Sequence, residues 1–171
     1  MSSSEKALAA RRAFLLSLAA LGGCGFRPLY GGGTQGGPGQ LFGKVRIIAA
    51  RGELPFRLRE ALIENLRPAS SAAPLTLSVA ANVTRDGLLI QDDDEITRFN
   101  LTLDVDYVLR RAGDPTPLYT NEARTIAAFN ATASQYATLV SEREVQARAA
   151  EDVADKIVRR LAAAFDPAWL A

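Results

Sequence analysis

The chain has 171 residues, about one ordinary domain, and 48% of them are hydrophobic. Its 20 Lys+Arg against 19 Asp+Glu give a formal charge of +1. That excludes a nucleic-acid binder held by overall charge and a highly charged disordered chain. With no histidine and one cysteine, histidine triads, histidine zinc sites, intramolecular disulfides and cysteine metal clusters are excluded as well.

The first segment, Met1 to Arg12, is polar and basic, with Lys6, Arg11 and Arg12 against Glu5. An apolar run, AFLLSLAAL, follows from Ala13 to Leu21. A helix needs about 20 apolar residues to span a bilayer, so this run is too short for a transmembrane anchor. A basic start, a short apolar core and small residues at its exit form a secretory signal. The exit reads Leu21-Gly22-Gly23-Cys24, which matches the bacterial lipobox. That match implies a diacylglyceryl group on the Cys24 sulfur, cleavage before Cys24 and N-acylation of the new amine, with palmitate-type chains. Arg11-Arg12 also resembles a twin-arginine export motif, although paired arginines are common in ordinary basic starts. Removing residues 1–23 would leave 17 basic and 18 acidic residues, a formal −1. Gly25, where retained inner-membrane lipoproteins tend to carry Asp, favours outer-membrane sorting.

Gly31 to Gly39 reads GGGTQGGPG, a composition expected to behave as a flexible tether. The folded body is expected to start near Lys44. Val45, Ile47 and Ala49 form a short strand. A helix begins at Leu54-Pro55, where proline's missing N–H costs nothing. Its apolar ridge is Leu58, Leu62 and Leu66, and Pro68 ends it. Leu75, Leu77, Val79, Ala81 and Val83 alternate with polar and small residues as a strand with one buried face. Asp86-Gly87 and the acidic run Asp92 to Glu95 mark its end and a turn. Phe99, Leu101, Leu103, Val105, Tyr107 and Leu109 form the clearest strand, with Arg98, Asn100, Thr102, Asp104 and Asp106 on its other face. Gly113 to Pro117 is a turn, and Leu118 to Ala128 a fourth strand.

Ser141-x-x-Glu144 reads as a capping box opening the last helix, with Gln135 to Val140 as an additional helical turn before it. Val145, Ala149, Val153, Ile157 and Leu161 form its first ridge, and Ala150, Ala154, Val158 and Ala162 a second. Arg143, Arg148, Asp152, Lys156, Arg159 and Arg160 are left for water. Asp152–Lys156 and Asp155–Arg159 are acid-first i,i+4 pairs. The order β-α-β-β-β-α predicts an α+β two-layer sandwich, a four-stranded mostly antiparallel sheet with two helices on one face. The opposite sheet face would be polar. No nucleotide-binding glycine pattern is present, Ser141 lacks a histidine partner, and Asp92 to Glu95 lacks calcium-loop spacing. The residues therefore point to neither an enzyme nor a metal site.

Cys24 to Gly31 reads CGFRPLYG, which resembles the mature start of the outer-membrane LPS-assembly lipoprotein family LptE, in its alphaproteobacterial form. The element order and the closing Ala-rich helix ending in IVRRL are similar too. The resemblance implies a signal peptide at 1–23, a lipidated N-terminus and tether at 24–43, an LptE-like α/β domain at 44–166 and a short C-terminal tail at 167–171. It implies no cofactor beyond the covalent lipid on Cys24, and no catalysis. It implies a protein on the periplasmic side of the outer membrane that plugs the LptD β-barrel, supports its assembly and helps deliver lipopolysaccharide. A polar sheet face suits a polar barrel lumen. The family places a lipopolysaccharide-contacting basic residue five positions after an aromatic in the strand before the last helix. Tyr119 to Arg124 matches that spacing, so Arg124 is the first candidate. Arg98 is the second, by location alone. Other lipoproteins share lipobox, tether and a small α/β body, among them auxiliary subunits of lipid-trafficking ABC transporters and pilotins. CGFRPLYG argues against them.

Overall fold

The computed structural model describes residues 37–68, 72–90, 96–132 and 134–171. Cys24, the signal segment and the acidic run Asp92 to Glu95 lie outside the described residues. The elements in chain order are β1 (Val45–Ala49), α1 (Glu53–Leu66), β2 (Leu75–Ile90), β3 (Ile96–Arg111), β4 (Pro117–Asn130) and α2 (Gln135–Ala163), with short 3-10 turns at Gly37–Leu41 and Pro167–Leu170. The sheet order is β1-β2-β3-β4. β1 runs parallel to β2, as a strand returning through a helix does, and the other pairs are antiparallel. The predicted α+β architecture is the observed one.

Strand periodicity builds the core. Leu101, Leu103, Val105, Tyr107 and Leu109 of β3 are all buried beneath the helices, as are Leu75, Leu77 and Val79 of β2. The helices answer with Leu54, Leu58, Leu62 and Leu66 from α1 and with both ridges of α2. Arg67 takes a left-handed backbone (φ 46°), its N–H closes on the Ile63 carbonyl at 2.8 Å, and Pro68 follows. Those two residues stop α1.

Four sequence expectations change. First, the Ser141 cap is absent: α2 includes the additional turn over Gln135 to Val140 and starts at Gln135, capped by the Ser134 hydroxyl, which accepts from the Ala137 N–H at 3.3 Å. Ser141 lies inside the helix and caps nothing. The capping-box pattern there lost to a second serine one heptad earlier, with no helix breaker between them. Second, β2 does not end at Asp86-Gly87 but continues to Ile90, absorbing the irregularity as register shifts between Gly87 and Ile90. Third, packing begins before Lys44, because Leu41 is a core residue. Fourth, the last residues join the body. Trp169 is buried against Tyr119 (centroids 5.9 Å) and Phe165 (6.0 Å), and Arg111 Nη2 donates to the Ala168 carbonyl at 2.6 Å.

Candidate functional site

The sheet has one uncovered face. Side chains one position out of phase with the core lie on it: Thr76, Ser78, Ala80, Asn82 and Thr84 from β2, Thr102, Asp104 and Asp106 from β3, and Thr120, Glu122 and Arg124 from β4. Larger apolar residues interrupt it, Ile48 of β1, Val108 of β3 and Ile126 of β4.

Arg124 sits near the middle of this face. Its register partner is Asp104 of β3, and Arg124 Nε donates to Asp104 Oδ1 at 2.5 Å. That hydrogen bond, and then the carboxylate's charge, raise the guanidinium's pKa above its ordinary value. The side chain is 68% exposed. Because Nε is the donor spent on Asp104, the two Nη groups keep their capacity for a second acceptor. The next pair along the strands is Asp106 opposite Glu122, so this neighbourhood carries more acid than base. Any anion bound here would be gripped locally by the guanidinium rather than drawn by the field around it.

Arg98 is exposed and stands between Leu89 of β2 and Asn130 of β4 in the ladder. It lies six residues along β3 from the Arg124 level, about 20 Å away. The two candidate arginines share a face but do not form one cluster.

The covered face holds polar groups that sequence reasoning left to solvent. Thr125 is the one buried polar residue among the described residues. Lys156 Nζ donates to its hydroxyl at 2.6 Å, to Asp152 Oδ2 at 2.6 Å and to the Arg124 carbonyl at 3.2 Å. Thr125 Oγ1 also donates to Asp152 Oδ2. The Lys156 and Thr125 hydrogen bonds hold the Asp152 carboxyl below the usual carboxylate range. One turn on, Arg160 Nη1 donates to the Glu122 carbonyl. Asp152, Lys156 and Arg160 therefore clamp α2 to β4. Their i,i+4 line along the helix was the signal that could have found them. Nearby, burial pushes the Tyr107 hydroxyl up to about 12, and the adjacent Tyr119 adds to that shift. The Arg160 guanidinium opposes the shift.

Among the described residues no group of three or more metal-type ligands is placed to hold an ion, and no helix is long and apolar enough to cross a membrane.

Two helices packed on one face of an open four-stranded sheet make this a domain of the type seen in small bacterial lipoproteins of known structure. A lipoprotein of Caulobacter crescentus superposes with a TM-score of 0.61 at 23% identity, over 72% of this chain and 92% of that one. Rare lipoprotein B of Shewanella oneidensis gives 0.53 at 14% identity over 70% and 93%. Lipoprotein B of Nitrosomonas europaea gives 0.54 at 20% over 71% and 83%. At these identities the likeness concerns the fold. No curated protein matches in sequence. The family model for LptE, lipopolysaccharide assembly, matches residues 43–161. The chain belongs to the LptE family.

Proposed function

We propose that this chain is an outer-membrane lipoprotein, acylated at Cys24, that plugs and supports assembly of the LptD β-barrel and helps deliver lipopolysaccharide to the outer leaflet. The family membership supports the assembly role, and the reading takes that role as non-catalytic. The observation that carries the finer reading is the uncovered polar face with the Arg124 guanidinium exposed on it. A water-filled barrel lumen accepts such a face, whereas an apolar one would be costly there. Arginine grips phosphate through paired, charge-assisted hydrogen bonds. Arg124 is the primary lipopolysaccharide contact in this reading and Arg98 a second, separate one.

The lipid on Cys24 acts as anchor and is the only attached group the reading requires. One acyl chain binds membrane marginally and two or more hold it firmly. Residues 25–36 would link that anchor to the packed region.

The test is an affinity pull-down of the full-length chain from detergent-solubilised outer membrane, with partners identified by mass. Recovery of a large β-barrel at near-equal amounts supports the reading. Recovery of ABC-transporter subunits, or of a different barrel, replaces it with the auxiliary-subunit or pilotin alternative. Intact mass should show loss of residues 1–23 and added lipid, and Cys24→Ser should release the body to the periplasm still folded.

A further inference from the structure

The two edges of the sheet are treated differently. On β4, Lys156 and Arg160 reach over from α2 and occupy the outward carbonyls of Arg124 and Glu122. Two cationic side chains thus interrupt that edge at its middle, a common way to stop a foreign strand from pairing. On β2 the covering strand is short. β1 pairs only with Leu75 to Val79, while β2 runs on to Ile90. Beyond Val79, nothing among the described residues pairs with that edge.

Which groups face outward follows from two hydrogen bonds. The Leu75 N–H donates to the Lys44 carbonyl at 3.1 Å, toward β1, whereas the Pro74 carbonyl accepts from Ala112, toward β3, at 2.8 Å. Odd-numbered residues of β2 therefore present their backbone groups to the edge and even-numbered ones to β3. The register with β3 is unbroken from Leu75 to Gly87. So Ala81, Val83 and Arg85 aim their N–H and C=O groups outward, and Ala80 to Thr84 carries no charge to guard them.

A second copy of this chain does not fit there. Twofold antiparallel pairing centred on Val83 or on Thr84 sets residue 87 or 89 of the partner copy opposite Val79, where the end of β1 at Ala49 already pairs. Pairing centred on Arg85 sets two arginines directly opposite. The irregularity between Gly87 and Ile90 then ends the ladder. The available edge is a slot for about five residues. On the helix side an incoming strand would meet Ala81 and Val83. On the open side it would meet Asn82 and Thr84.

We propose that the β2 edge from Ala81 to Arg85 is a strand-addition site for an extended segment of the barrel partner, one that alternates apolar and polar side chains. Backbone hydrogen bonds give the grip, and the alternation fixes which way the segment faces. Arg85 is held ready at the slot's end, its Nη1 on Glu142 Oε2 at 3.1 Å and its guanidinium 5.4 Å over the Phe99 ring. This inference rests on the barrel partnership proposed above.

The test uses the lipidated full-length chain and the barrel it recovers from detergent-solubilised outer membrane. Val83→Pro removes one outward N–H without touching the β2–β3 ladder and should lower barrel recovery about tenfold. Val83→Thr keeps the backbone and should stay within about twofold of the parent. Amide exchange on the parent chain is the second arm. The Ala81, Val83 and Arg85 amides should exchange rapidly in the free chain and become protected in the complex, while the Thr84 amide is protected in both. If Val83→Pro fails to fold, the exchange arm decides alone. Unprotected Ala81, Val83 and Arg85 amides in an intact complex overturn the inference and leave the partnership standing. No barrel recovered by the parent chain overturns the partnership itself.

Discussion

Along β3, Leu101, Leu103 and Val105 are at most 1% exposed, while Thr102, Asp104 and Asp106 between them lie on the uncovered face. One strand thus serves two environments, separated by the thickness of a backbone. The covered side carries both helices and nearly all the apolar contact. The open side carries mostly small polar groups and, among the described residues, the exposed ion pair Arg124–Asp104, of a kind that adds little to stability. Stability is thereby concentrated on one face, and the other is available to a partner or ligand without cost to the fold.

That contrast breaks if substitutions on the two faces act alike. Leu103→Ala should destabilise by about 2–5 kcal/mol, the range for a buried leucine truncated within a packed core. Thr102→Ala, its neighbour on the open face, should stay within about 0.5 kcal/mol. Chemical denaturation of both variants measures the difference. Equal losses would mean that the strand register is displaced by one residue.

The reach of the covered side depends on where α2 begins. Ser134→Ala should cost about 1 kcal/mol, the usual worth of an N-cap hydroxyl, and Ser141→Ala much less, under about 0.5 kcal/mol. Thermal melts of the two variants would reverse in order if the helix started at Ser141.

A smaller effect concerns the clamp between α2 and β4. Asp152 has its folded-state pKa depressed by Lys156 and Thr125. An unfolded chain would therefore take up that proton first as pH falls. The stabilisation is present above the ordinary carboxylate pKa, about 4, and disappears as pH drops through the lower folded value. The carboxylate is 48% exposed, so screening keeps the contribution below about 1 kcal/mol. Asp152→Asn should flatten the acid limb of a melting-temperature profile below about pH 4 and reduce stability slightly at neutral pH. A parent and variant with parallel acid limbs would remove Asp152 from the account.

The sheet and its layers were legible because alternation in β3 and the two ridges of α2 are long and regular. Long patterns survive local exceptions. The misread places are those where a short signal competed with tertiary context. Ser141-x-x-Glu144 has the residues of a capping box, but helix propensity runs unbroken through it from Ser134. Asp86-Gly87 looks like a turn, yet cross-strand pairing with Asn100 and Phe99 carries the strand past it. Lys156 and Arg160 read as solvated charges because a helix wheel does not show that the edge of β4 lies within their reach. At the candidate site, the polar face of β3 was legible from alternation, whereas Arg124 was singled out by the spacing from Tyr119 that the family resemblance implies. Its pairing with Asp104 was not legible, because register across two strands is set by the whole ladder.

That pairing allows a direct test of whether the open face works on lipopolysaccharide. Binding of purified lipopolysaccharide should be compared for the parent, Arg124→Glu, Asp104→Ala and Arg159→Glu. Arg159 is the control, since it lies on the outer face of α2, 55% exposed, with Asp155 at 3.9 Å. Arg124→Glu should weaken binding about tenfold or more, Asp104→Ala should strengthen it by releasing the guanidinium, and Arg159→Glu should leave it unchanged. High salt should mimic the Arg124→Glu defect, because an exposed phosphate contact is screened. Unchanged binding in both Arg124→Glu and Asp104→Ala would contradict the account and leave the open face as a surface for the barrel alone.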